Sequence, residues 1–102
     1  MNEQEIEQEI QEKGLTAPRL TPDLIYSVIK HKDFYVFPKS QLTICCITLK
    51  NGFTVTGESA CVSPENFNAD IGEKVSFENA RNKIWALEGY LLKQRLSNNG
   101  TV

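Results

Sequence analysis

Leu42-Thr43-Ile44-Cys45-Cys46-Ile47-Thr48-Leu49-Lys50-Asn51-Gly52-Phe53-Thr54-Val55-Thr56-Gly57-Glu58-Ser59-Ala60-Cys61-Val62 is two strand-like runs about an Asn-Gly pair. Asn-Gly between apolar, β-branched runs is the strongest short-range hairpin signal, because a two-residue turn needs positive φ at both central positions. Read that way, Lys50 lies opposite Phe53, Thr48 opposite Val55, Cys46 opposite Gly57 and Ile44 opposite Ser59. One face would carry Leu42, Ile44, Cys46, Thr48, Phe53, Val55 and Cys61. The other would carry Thr43, Cys45, Ile47, Leu49, Thr54, Thr56, Glu58 and Ala60. The first run is apolar on both faces and the second is not, so residues 42–50 are predicted to be the more central strand. Gly57 inside the second run signals a bulge or a close backbone approach. Glu58 and Ser59 beyond it are a candidate ligand site at a kinked edge, although solvated edge residues that discourage aggregation have the same composition.

Upstream, Phe34-Tyr35-Val36-Phe37 reads as a short extended segment at a sheet edge, stopped by Pro38. Before it, Thr21-Pro22-Asp23 supplies an N-cap, a proline at the first helical position and an acid in the first turn, predicting a helix through about Lys30. Lys30, His31 and Lys32 would then sit at its C-terminal end, where cations are favoured. Residues 2–12 have Ile6 and Ile10 as their apolar positions within a Glu/Gln run. They read as a solvated arm, or as an acidic arm that docks a basic partner or a neighbouring subunit.

Downstream, Ser63-Pro64-Glu65 repeats the start signal. Either one helix runs from Pro64 onward or a short one breaks over residues 68–72. From Phe77 the apolar positions Phe77, Ala80, Ile84, Leu87 and Leu91 step by three and four, which predicts a long core-facing helix ending near Lys93 and Arg95. The fold class is therefore α+β: an antiparallel β-hairpin or small sheet packed on a long C-terminal helix, with short N-terminal helices. Residues 1–20 form the acidic arm and linker, 21–96 a single domain and 97–102 a flexible tail.

The totals narrow the function. The chain has 102 residues and is 40% hydrophobic, enough for one modest core that a second subunit could complete. Glu3, Glu5, Glu7, Glu9 and Glu12 against Lys13 concentrate −4 in the arm, so the rest of a chain of formal charge −2 is close to neutral. This balance disfavours duplex nucleic acid as a partner. No run approaches the roughly 20 apolar residues that span a bilayer, and the acidic start lacks the order of a signal peptide. Cys45, Cys46 and Cys61 have no C-x-x-C spacing and read as reduced, buried thiols. No phosphate loop, nucleophile elbow or zinc helix occurs, and neither a metal nor a cofactor is expected.

What remains is the helix face of Arg81, Trp85, Glu88 and Tyr90. Arg81 and Glu88 are two turns apart, with Trp85 on their border, and Gly89 inside a helix suggests close packing. Ordinary surface charge patterning with Glu78, Lys93 and Arg95 accounts for part of this. Arginine beside flat aromatic area also suits an interface or an anion site.

Leu49-Lys50-Asn51-Gly52-Phe53, followed by Gly57-Glu58-Ser59-Ala60-Cys61, Pro64-Glu65-Asn66-Phe67, Glu78-Asn79-Ala80-Arg81 and Ile84-Trp85-Ala86-Leu87-Glu88-Gly89-Tyr90-Leu91-Leu92, resembles a family of small phage proteins. That family is named for gene products forty-nine and sixty-six of two tailed phages of enteric bacteria, and the resemblance spans residues 34–96. It implies an accessory, non-virion protein in the cytoplasm of an infected bacterium, and it offers no catalytic residues to carry over. By analogy of lifestyle, the expected function is non-enzymatic binding of a host macromolecule, a host protein first of all, to counteract host defence, with self-association. The alternative is an oligomer that sequesters an anionic cyclic nucleotide, with Arg81 on phosphate and an aromatic on the base.

Overall fold

In a computed structural model of the chain, which describes residues 2–15 and 17–99, the Asn-Gly hairpin forms the middle of a three-stranded antiparallel sheet. The described residues divide into two units, one made of the segments up to Ser27 and from Trp85 onward, the other Val28–Ile84. The second unit holds β1 (Ile29–Val36), β2 (Leu42–Leu49), β3 (Thr54–Ala60), a 3-10 turn at Pro64–Asn66 and the first half of α3 (Ala69–Asn98). The first unit holds α1 (Glu3–Glu12), α2 (Pro22–Ser27) and the remainder of α3. The α+β class and the central place of β2, in the order β1-β2-β3, are as predicted. Of the tail expected over 97–102, Ser97 and Asn98 continue α3, and positions 100–102 lie outside the described residues.

The hairpin register differs from the expected one by a single residue. Thr48 pairs with Thr54, Ile47 with Val55, Cys46 with Thr56 and Cys45 with Gly57. The loop has three residues, not two: Gly52 N donates to Leu49 O at 2.9 Å, and Leu49 N donates to Phe53 O at 2.8 Å. Positive φ falls on Gly52 alone, at +91°, and Asn51 has none. Asn51 serves through its side chain instead, its Oδ1 accepting the Phe53 N–H at 2.9 Å, a bond that the wider loop makes available. A one-residue slip exchanges the faces of one strand relative to the other. Val55 therefore joins Thr43, Cys45, Ile47 and Leu49 on the buried face.

Gly57 explains why this register holds. The pairing is continuous through it, so it is no bulge. A Cβ there would stand 2.2 Å from the Ala80 N, 2.4 Å from the Ser76 O and 2.7 Å from the Asn79 C of α3. Strand backbone and helix backbone are in direct contact, which only glycine permits. The helix meets this demand with small residues at spacing four: Gly72, Ser76 and Ala80 are buried, with Ile84 closing the row. Gly72 admits Thr43 in the same way, since its Cβ would stand 2.8 Å from the Thr43 Oγ1. The core-facing stripe thus differs from the expected Phe77, Ala80, Ile84, Leu87 and Leu91. Ala80 and Ile84 are fully buried, Phe77 is half-buried and Leu91 is 47% exposed. Periodicity favoured the large side chains, whereas the close approach selects the small ones.

The start of α2 is the expected one: Thr21 Oγ1 accepts the Leu24 N–H at 3.1 Å. Of the two alternatives over 64–72 the break holds, with a 3-10 turn at Pro64–Asn66 and Asn68 Oδ1 accepting the Ile71 N–H at 3.1 Å before α3. The end of α2 differs from the expected one. It stops at Ser27, and Lys30, His31 and Lys32 belong to β1. Val28 and Ile29 are β-branched and favour a strand; Ile29 pairs with Leu49 and the Val28 O accepts the Lys50 N–H at 2.9 Å. The β1–β2 connection turns on Lys39 at φ +61°, a left-handed residue with no glycine to announce it.

Replacing Gly57 with alanine should therefore cost about 3 kcal/mol or more, beyond ordinary overpacking because backbone cannot yield. Gly89→Ala should instead stabilise by about 1 kcal/mol through helix propensity, since a Cβ there meets only Leu20 Cδ1 at 3.6 Å. Thermal unfolding of the two variants checks both signs.

Candidate functional site

The pairing that buries one face of the sheet leaves the other half exposed. Tyr35, Ile44 and Glu58 form one row across the three strands, because Tyr35 pairs with Ile44 and Ile44 with Glu58. Phe37, Leu42 and Ala60 form the next: Leu42 pairs with Ala60, and the Phe37 N donates to the Leu42 O at 3.0 Å. Tyr35 and Phe37 meet edge to face, ring centroids 4.9 Å apart at 88°, while staying 56% and 42% exposed. That geometry fixes two rings against each other without withdrawing either from water. The opposite end of the same face is polar, with Asp33, Cys46 and Thr56 in one row and His31, Thr48 and Thr54 in the last. His31 Nε2 lies 3.4 Å from Asp33 Oδ2, so the histidine has an acid beside it, on an open strand. The open face is thus apolar and aromatic at one end and polar at the other.

Two grooves flank the sheet. One, of about 330 Å³, is lined by Lys32, Phe34, Asp70, Glu73, Lys74 and Phe77, with Lys32 Nζ 4.5 Å from the centre of the Phe77 ring. Its two lysines and two acids leave no net preference for an anion. The other, of about 300 Å³, is lined by Ile44, Thr56, Gly57, Glu58, Asn79 and Lys83. Here Asn79 Nδ2 donates to the Glu58 O at 2.8 Å and occupies a carbonyl of the β3 edge. Within this unit α3 thus guards the β3 edge.

The residues singled out from sequence scatter over these surfaces. Glu58 is exposed on the open face, but Ser59 pairs with Thr43 and belongs to the other face, so the two do not converge. Arg81 is 4% exposed, with its Nη2 2.8 Å from Glu78 Oε2. Trp85, Glu88 and Tyr90 belong to the other unit; Trp85 and Glu88 are half-buried and Tyr90 is 72% exposed. Gly89, expected to mark close packing, has room for a side chain. The open-face cluster of Tyr35, Phe37, Leu42 and Ile44 was missed. Its signal lay in the alternation of 34–37, which becomes legible only once the register assigns Tyr35 and Phe37 to the outer face.

All three cysteines are free thiols. Cys45 is fully buried, and burial pushes its thiol up to about 11. Cys46 and Cys61 are half-buried, contrary to the expectation of three buried thiols. Among the described residues no group of three or more His, Cys, Asp or Glu could hold a metal ion, and no helix is long and apolar enough to cross a membrane. Cys45 should stay silent to a thiol reagent at neutral pH until the protein unfolds, while Cys46 and Cys61 label in the native state. Mass spectrometry of the labelled peptides checks the order.

A family model described as the phage protein (N4 Gp49/phage Sf6 gene 66) family matches residues 20–96. No curated protein and no solved structure matches the chain.

Proposed function

Because the chain belongs to the phage protein (N4 Gp49/phage Sf6 gene 66) family, we propose that it is a non-enzymatic accessory protein that binds a host protein in the infected cell, through the open face of its sheet. The observation that carries this reading is the Tyr35–Phe37 pair, edge to face and roughly half exposed, beside Leu42 and Ile44. Rigid aromatic area of this kind lies at the energetic centre of protein interfaces. Glu58 and the His31–Asp33 end supply polar contacts beside it. Interference with a host defence protein is the biological role that suits such a binder.

Sequestration of an anionic nucleotide would ask Arg81 to reach a phosphate. Its guanidinium is 4% exposed and engaged by Glu78, so this reading has less support.

Pull-down from host lysate, followed by titration of the purified partner, tests the proposal. Tyr35→Ala with Phe37→Ala should weaken binding at least tenfold while the variant keeps a cooperative thermal unfolding transition, because neither ring belongs to the buried core. A partner that binds this double variant as well as it binds the parent, and is lost on Tyr90→Ala, would move the function to the helix.

A further inference from the structure

Helix α1 has little of its own to keep it folded. It is 10 residues long and has no buried residue, and isolated helices below about 12–15 residues are marginal in water. Its N-terminus is capped by Asn2, whose Oδ1 accepts the Glu5 N–H at 2.8 Å. Its apolar residues, Ile6 and Ile10, lie on one face. It is nevertheless held at a specific point. Arg19 grips Glu7 with two parallel bonds, Nη1 to Oε2 at 2.8 Å and Nη2 to Oε1 at 2.7 Å. Both side chains are largely covered, at 24% and 23% exposure. Forked pairs of this kind are the strong and directional ones, and the Arg19 bonds hold the Glu7 carboxyl below the usual carboxylate range.

Beside the fork lies an apolar groove of about 380 Å³. Glu3, Ile6, Glu7 and Ile10 of α1 form one wall; Leu20, Pro22 and Trp85 form the other. The second wall falls inside the matched residues 20–96, and α1 falls outside them. The groove is thus walled on one side by matched residues and on the other by a helix outside the match.

We propose that the Leu20–Pro22–Trp85 wall, with Arg19 at its rim, is a docking site for an acidic amphipathic helix, and that α1 is its resident occupant. The chemistry of α1 defines what fits: two apolar residues four apart to lie on Leu20 and Trp85, and a carboxylate directly after the first of them to enter the Arg19 fork. Five glutamates in 3–12 add a field that a basic or neutral helix would lack. A partner helix of this composition displaces α1, which makes the arm a strap over the site. This site is separate from the open sheet face, and either can fail without the other.

Trp85 is the sole tryptophan, so its fluorescence reports occupancy directly. In the full chain, Glu7→Lys sets like charges against each other at the fork and should release α1, red-shifting Trp85 emission and increasing its quenching by acrylamide. Adding Arg19→Glu to that variant should reverse both effects by restoring an ion pair of opposite polarity. A synthetic peptide of residues 2–14, added in trans to the Glu7→Lys protein, should bind saturably and return the emission to that of the parent. The parent itself should need at least tenfold more peptide, because α1 competes. A peptide with Ile6→Ser and Ile10→Ser should have no effect. The proposal is overturned if Glu7→Lys leaves Trp85 unchanged, if the peptide has no saturable effect, or if the serine peptide acts as well as the native one.

Discussion

The contact of Gly57 with the backbone of α3 constrains the rest of the sheet unit. A Cβ at this strand position would lie 2.2 Å from a helix amide nitrogen, so the approach admits no side chain at position 57. The helix must then present small residues there, and Ser76 and Ala80 are both fully buried. Gly57 must also point at the helix, which sets the parity of β3. Through the pairing of Cys45 with Gly57, that parity assigns Thr43, Cys45, Ile47 and Leu49 inward and Leu42, Ile44, Cys46 and Thr48 outward. The exposed aromatic face follows as the complement of the buried one.

Much of this architecture was legible in the residues. Asn51-Gly52 marked the hairpin, the two-sided apolarity of 42–50 marked the central strand, and Thr21-Pro22-Asp23 marked the start of α2. The features that were hidden share one cause: each is decided by a partner distant in sequence. Asn-Gly suits two-residue and three-residue loops alike, and the choice between them depends on which register buries Val55 and lets Gly57 meet α3. Val28 and Ile29 extend an amphipathic helical pattern equally well until β2 offers them backbone partners. Lys39 carries a left-handed turn because both strands close around it, not because lysine favours that conformation.

The candidate site was less legible than the fold for the same reason. Arg81, Trp85, Glu88 and Tyr90 attract notice as residue types, but exposure separates them: Arg81 is almost wholly buried and Tyr90 is largely exposed. Tyr35 and Phe37 looked like ordinary strand residues, and only the register of three strands gathers them with Leu42 and Ile44 on an open face. In the other unit, the acidic arm reads either as solvated or as docking a basic partner or a neighbouring subunit, and its pairing with Arg19 of the same chain is neither. The Glu7–Arg19 fork joins residues twelve apart, a distance at which no helical or strand periodicity could have indicated it.

The central claim is that the close approach at Gly57 sets the register and hence the outward face. A nuclear Overhauser spectrum of the native protein tests it most directly. The account predicts a strong cross-peak between the Gly57 α-protons and the Ala80 amide proton, together with cross-strand peaks pairing Val55 with Ile47. Cross-strand peaks pairing Val55 with Thr48, with no contact from Gly57 to α3, would contradict it.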